Sequence, residues 1–429
     1  MFQRLVRQWE TLHPYNGAQA IKIRGTVDLA LCRRAWHDAL AALGLGRVHL
    51  VGSGYRYECL NGDSIHHTVT LCPPGTGVQQ RIADEMNRPF DAAEAFPFRP
   101  FVIQEGDGWW MGMGYQHWVA DSVSIRLLMR EWFARQFDPP AASRRPLRID
   151  SSGYLRLFGP HVTPWRMGDA LLAAMRWQSH LRRVKRIEDK KRFGQFAVGF
   201  VMGELDDALI DRLHATAQAA GAKVNDLFLA AIAETAHRHV PTRPRNGRCD
   251  LAVGNIVDLR PRARAAVDDV FGLLLGFTSV VCQPKNLRDW DSLLGAIARQ
   301  TRGQKISGAA EASWIRMLGG LAAGNLLSPR QVVNLYRKRV ALAGACSNVN
   351  LNRCWPWRYH PDPLMCYVRA APTGPMTPLV FTPTTLGRAL SFGLTYRKAI
   401  FDADAADALA ATFADRLRRL GLAAGVSAI

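Results

Sequence analysis

The chain has 429 residues, 48% hydrophobic and 21% charged, which excludes a disordered chain and is too long for one ordinary core, so two domains or one large pseudo-repeat are expected. No apolar run reaches the roughly 18 residues of a membrane span, and the opening stretch Met1–Pro14 lacks the apolar segment of a secretory signal. Net charge is +19, carried by 46 Arg and 9 Lys against 36 acidic residues, so the surface field favours acidic partners.

Alternation from Gln19 to Gly25 predicts a strand, and Asp28 then caps a helix to about Leu43 whose apolar face holds Leu29, Ala35, Trp36, Ala39 and Leu40. Strand-like pieces follow near 46–51, 55–59 and 66–71, then a helix from Gly77 to Asn87 that stops before Pro89. Phe98 to Gln104 and Trp109 to Gln116 flank the turn Glu105-Gly106-Asp107-Gly108 and read as a hairpin. A helix is expected over Val123 to Phe137. Residues 138–165 are rich in Pro, Ser, Gly and Arg and read as a connection between halves.

Residues 168–192 read as one long basic helix. Beyond it come a strand at Gln195 to Val201, helices at 206–220 and 224–239, and strands at 249–255 and Leu275 to Cys282. Helices are expected near 289–301, 310–322 and 329–340; the best candidate for a membrane span, Trp314 to Leu327, is too short and is broken by Arg316, Gly319, Gly320 and Gly324. Strands near 345–350, 365–370 and 389–396 precede a last helix from about Asp404 to Leu420, with Gly421 as its stop. The result is α/β: two halves of similar size, each with helices over a sheet.

Several chemistries lack their motifs. There is no G-x-S-x-G nucleophile elbow, no phosphate loop and no complete G-x-G-x-x-G. The eight cysteines are scattered without a C-x-x-C pair, which points to a reduced cytoplasm and away from disulfides or zinc. His66-His67 reads as an ordinary strand pair. Gly62-Asp63-Ser64-Ile65 looks like a phosphopantetheine attachment site but lacks the helix that a carrier needs after its Ser. His237 and His239, two residues apart on a helix, cannot face one metal together.

One segment stands apart, Met111-Gly-Met-Gly-Tyr-Gln-His117-Trp-Val-Ala-Asp121-Ser122. A strand runs straight into His117, and a helix begins just after Asp121. A His held at a strand end, with a free pKa of about 6.5, can act as a general base near neutral pH. Asp121 could cap the helix or pair with a distant Arg. Alone, the spacing also fits a partly buried His beside an ordinary helix-capping Asp.

The order of short motifs resembles the condensation domains of nonribosomal peptide synthesis and the wider chloramphenicol-acetyltransferase-like superfamily of thioester-dependent acyltransferases. Asn87-Arg-Pro-Phe-Asp91 and Pro97-Phe-Arg-Pro100 look like the segment before that family's active-site hairpin. Gln116-His117-Trp-Val-Ala-Asp121-Ser122 is similar to its H-H-x-x-x-D-G motif, and Val224-Asn-Asp-Leu-Phe-Leu-Ala230 to its N-D-V-x-L-A-A helix. Gly254-Asn-Ile-Val-Asp-Leu-Arg260 followed by Phe271-Gly272, Ser347-Asn348-Val-Asn350, and the closing Leu394-Thr-Tyr-Arg397 match further pieces in order.

The resemblance implies two acetyltransferase-like lobes in a V, 1–165 and 166–429, with a tunnel between them. His117 would lie mid-tunnel as the base. Asp121 would be structural, with Arg260 as its salt-bridge partner, and Asn348 with Ser347 would bind the oxyanion or the acceptor. The donor would be an acyl thioester of phosphopantetheine, on a carrier protein or coenzyme A, arriving in trans, and the acceptor a small-molecule alcohol or amine. No permanently bound cofactor and no metal are implied. With no Ser or Cys in a nucleophile motif, transfer would be direct, without an acyl-enzyme. Two departures stand out. Gln116 replaces the family's first His, which leans towards ester formation, and Ser122 replaces a Gly, which would be strained if that position needs a positive φ.

Within 172–192 lie Arg176, Arg182, Arg183, Lys185, Arg186, Lys190, Lys191 and Arg192 against Glu188 and Asp189. The cluster is a solvated face, or it docks an acidic carrier protein through Arg182, Arg183, Arg186 and Lys190, or it touches a phosphorylated cofactor or an anionic membrane. Nucleic acid is the least favoured partner, because interleaved aromatic platforms are missing. The expectation is a standalone cytoplasmic acyltransferase of natural-product type. The alternatives are a wax-ester or diacylglycerol type of lipid acyltransferase and a catalytically silent docking module.

Overall fold

The computed structural model describes every residue except 1, 52–53, 60–67, 93–94, 144, 150–163, 189–194, 244–246, 264–266, 268, 354, 356–363 and 427–429. Its first sheet has five strands in the order Leu364–Ala370, Asn16–Arg24, Gly108–Gln116, Phe98–Glu105 and Thr70–Leu71. All its pairs are antiparallel except the last. The expected hairpin is present, and its turn passes through Gly106 at φ 61. The Gly108–Gln116 strand is apolar on both faces because both faces are covered. A Cβ on Gly112 would overlap the Phe101 ring, so the close approach of the neighbouring strand requires glycine there.

The helices Leu29–Leu43 and Ser122–Phe137 cover one face of this sheet. Trp36 and Trp132 meet edge-on at 5.1 Å between ring centroids, and Trp132 Nε1 donates to the Cys32 carbonyl at 3.0 Å. Asp28 caps the first of these helices, accepting from Leu31 N, and Gly44 closes it in the left-handed region.

The second sheet has seven strands in the order Leu275–Cys282, Leu251–Asp258, Gly344–Cys346, Leu379–Leu386, Ala389–Arg397 and Val198–Leu205, with Val349–Asn350 beside Leu379–Leu386. Its central pairs are parallel and its outer pairs antiparallel. Helices Leu209–Ala219, Val224–His239, Trp290–Ile306 and Ala403–Val426 pack over it in a separate apolar cluster.

The two sheets adjoin. Ala18, Ala20, Val368 and Ala370 of the first pack with Val198 and Phe200 of the second, and the Val78–Asn87 helix lies against both. Asn87, at the end of that helix, exchanges two hydrogen bonds with the Val198 backbone at 2.8 and 2.9 Å. The Leu364–Ala370 strand, late in the chain, joins the early sheet by pairing Ala370 with Ala18 and Arg369 with Gln19.

Some expectations fail. The basic helix does not run to 192. It spans Pro164–Arg182, and the chain then turns into a short strand at Arg186–Ile187 that pairs with Thr242–Arg243. Gly421 does not end the last helix, which continues to Val426. The glycine instead leaves room for Leu209, which a Cβ would overlap. Of the strand expected at 66–71 the described residues carry Thr70–Leu71, and residues 62–67, with the His66-His67 and Gly62-Asp63-Ser64-Ile65 decoys, lie outside the described residues. The Phe2–Glu10 helix and the Leu379–Leu386 strand were not foreseen. That strand accommodates Pro383, which lacks a backbone N–H, because it lies opposite the gap between Cys346 and Val349, where the neighbouring ladder is interrupted.

Candidate active site

The Gly108–Gln116 strand delivers His117 to a three-residue turn before the Ser122–Phe137 helix. The His117 backbone N–H donates to the Tyr15 carbonyl at 3.2 Å, which fixes the residue at the strand end. Its ring is half-buried, 5.7 Å from the Tyr15 ring and 5.8 Å from the Tyr115 ring between centroids. Nδ1 is shut inside the protein without a hydrogen-bond partner among the described residues. Burial pushes the His117 pKa below 6.5, against the opposing pull of its own backbone and of Asp121, which favours the neutral ring.

Asp121 is fully buried at the start of the helix. Its Oδ1 accepts from Ser124 N at 2.8 Å and Arg260 Nη2 at 3.1 Å, and its Oδ2 accepts from Arg260 Nη1 and Leu274 N, each at 2.9 Å. Burial alone would raise its pKa, but the Arg260 guanidinium and the backbone donors hold it below 3.8. A carboxylate so engaged has no lone pair left for proton transfer. It ties the loop after His117 to the segment between Leu251–Asp258 and Leu275–Cys282. Arg260 also reaches Ser124 Oγ at 2.8 Å and Asp258 at 3.2 Å.

Ser122 is not strained. Ala95 and Ala208 are the non-glycine residues with positive φ among those described, and Ser122 simply opens the helix. The Ser122 Oγ accepts from Gln19 Nε2 and from Arg369 Nη1, both at 3.0 Å. Gln116 turns away from the loop and donates to Glu10 on the first helix at 3.1 Å.

Ser347 and Asn348 follow the Gly344–Cys346 strand. The Ser347 carbonyl accepts from Arg369, which joins it to Ser122. Asn348 lines a cavity of about 550 Å³ beside Asn225, Asn255 and Asp258, with Lys223, Arg302 and Lys305 also in its lining. Among the described residues no hydrogen bond links Asn348 to His117. In the Val224-Asn-Asp motif, Asp226 is structural: it accepts from Lys223 N at 2.9 Å and Thr301 Oγ1 at 2.8 Å.

The four basic residues proposed for docking do not share a helix face. Arg182 is exposed at the end of its helix, Arg183 pairs with Asp250 at 3.3 Å, Arg186 lies half-buried in a strand, and Lys190 is outside the described residues. The helix itself exposes Leu171, Leu172 and Met175. No group of His, Cys, Asp and Glu suited to a metal occurs among the described residues, and no described helix is long and apolar enough to cross a membrane.

Two residues beside the loop escaped the sequence reading. Arg369 is 1% exposed and Arg126 8% exposed. The signal for Arg369 was a charge inside the otherwise apolar strand Leu364–Ala370; for Arg126 it was a basic residue one turn beyond Ser122 on the buried face of its helix.

The whole chain aligns with solved condensation domains. The first condensation domain of the calcium-dependent antibiotic synthetase, in complex with a substrate analogue, superposes with a TM-score of 0.70 at 14% identity over 97% of this chain and 93% of that one. The condensation domain of the Monacolin K polyketide synthase MokA gives 0.67 at 9% identity over 98% and 96%. This chain has the condensation-domain fold. The X-domain of teicoplanin biosynthesis, in its complex with OxyB, shares it with a TM-score of 0.59 at 15% identity over 98% and 92%. No protein-family model and no curated protein sequence matches the chain.

Proposed function

We propose that the chain is a thioester-dependent acyltransferase with His117 as its general base. The observation that carries this reading is the His117 imidazole held at the strand end, above a loop pinned by the buried Asp121–Arg260 pair, in a chain with the condensation-domain fold. The acyl group arrives as a phosphopantetheine thioester, on a carrier protein or on coenzyme A. His117 Nε2 removes the proton from the acceptor's hydroxyl or amine as that oxygen or nitrogen attacks the thioester carbonyl. The tetrahedral intermediate collapses, the C–S bond breaks, and the thiolate regains a proton from the imidazolium. The neutral state of His117 before attack is what this sequence requires. Asn348 would meet the developing oxyanion or the acceptor; it lines a cavity whose walls do not include His117, and Lys223, Arg302 and Lys305 of that cavity suit the phosphate of the arm.

The likeness to an X-domain seen in complex with OxyB supports a second reading, a docking module without turnover. Mass spectrometry separates the two. The purified chain is incubated with acyl-carrier protein or acyl coenzyme A and a panel of alcohols and amines. Formation of an ester or amide that depends on the chain supports transfer; its absence across the panel, with partner binding retained, supports docking.

A further inference from the structure

The half-buried Arg99 and Arg135 pair with Glu85 and Glu131, and the buried Arg260 pairs with Asp121. Arg126 and Arg369 are different. Arg126 is 8% exposed, and its guanidinium makes no hydrogen bond or ion pair with any described residue; its Nε is closed off entirely. Arg369 is 1% exposed and its partners are all neutral: Thr384 Oγ1 at 2.9 Å, Ser122 Oγ at 3.0 Å, the Pro383 carbonyl at 2.9 Å and the Ser347 carbonyl. Burial, with the like charge of Arg126 added to it, brings the Arg369 pKa down to about 10. Both border Ser122: Arg369 bonds to its hydroxyl, and Arg126 stands one helical turn beyond it.

We propose that Arg126 and Arg369 form an internal receptor for a carboxylate on the small substrate, on the Ser122 side of the His117 loop. The proposal rests on the acyltransferase reading, which makes this loop the reaction centre. Two buried guanidinium ions without an acid are unfavourable in the free protein, and one anion between them removes the penalty. Such a sacrifice of stability is what a binding site shows and a scaffold does not. The donors also specify the ligand. Arg369 already spends four of its five N–H groups on the protein, so it contributes mainly charge. Arg126 bonds no described residue through Nη1 or Nη2, and that end of the planar guanidinium matches a carboxylate with two parallel hydrogen bonds. The phosphate of a pantetheine arm is not the ligand, because the length of the arm holds that phosphate far from the reacting thioester.

Calorimetry on the full chain with matched probes tests this. On the acceptor side 3-hydroxybenzoate is compared with 3-hydroxybenzamide; on the donor side succinyl-pantetheine is compared with its terminal amide. The acid should bind at least tenfold tighter than its amide in one arm, and that arm identifies which substrate carries the charge. The preference should vanish in Arg126→Met and persist in the surface control Arg388→Gln. Arg126→Met should also raise the melting temperature of the free protein, since it removes an uncompensated charge, whereas a structural arginine would lower it. Equal binding of acid and amide in both arms, or a preference that survives Arg126→Met, overturns the proposal. Acyl transfer without any acid preference would overturn this receptor alone. A preference in a chain that never transfers an acyl group would instead overturn the transferase reading.

Discussion

Replacing Arg260 with Met removes two of the four hydrogen bonds that Asp121 accepts and the cation paired with it. The carboxylate is fully buried and keeps only the Ser124 and Leu274 N–H groups. Leaving one partner of a buried pair uncompensated costs about 3–5 kcal/mol. The converse change, Asp121→Asn, should cost less, because Arg260 retains Asp258 at 3.2 Å and Ser124 Oγ at 2.8 Å. In the double variant no charge is stranded at Asp121, so the combined loss should fall short of the sum by roughly 0.5–3 kcal/mol. Urea unfolding of the wild type and three variants gives these differences from midpoints at constant slope. Strictly additive losses, or a loss below about 1 kcal/mol for Arg260→Met, would refute the view that this pair holds the His117 loop to the second sheet.

Three further outcomes are expected. Burial holds the His117 imidazolium below its ordinary 6.5, so the acid limb of kcat/KM should fall below pH 6.5; the stability linked to this ring is present above that pH and is lost as pH falls, because the unfolded chain takes up the proton first. Ser122→Gly should destabilise by about 1–3 kcal/mol, because it strands donors on Gln19 and Arg369; a gain in stability would show that serine is strained there after all. If an acidic carrier docks on the basic surface, its apparent KM should rise steeply as salt shortens the screening length from about 10 Å at 0.1 M to about 3 Å at 1 M, and rise again in a charge reversal of the exposed Arg182, Arg182→Glu; an identical response from a bare pantetheine thioester would end the docking idea.

The hairpin and both flanking helices of the first sheet were legible because their periodicity and caps agree with their burial: Asp28 and Asp121 each accept the bond that opens a helix. The later errors have local causes. A run of arginines sustains a helical pattern beyond Arg182, but Val184 bridges to Asp250 and ends the helix by tertiary pairing. Gly421 carries the signal of a helix stop, yet its packing against Leu209 gives a small residue a different purpose. The entry of Leu364–Ala370 into the first sheet could not be read from the chain order, since strand periodicity names no partner. The HxxxD spacing exposed His117 and Asp121. Arg126 and Arg369 gave only isolated charges in apolar surroundings, and their adjacency exists only after the sheets assemble.

The most direct measurement is single-turnover acyl transfer by His117→Ala, with its melting curve recorded alongside. The His117 side chain makes no hydrogen bond through Nδ1, and the residue is anchored by its backbone, so the fold should survive. Transfer should drop by about 10²–10⁴-fold, the range of a lost general base. Near-wild-type transfer by a folded His117→Ala protein would contradict the account.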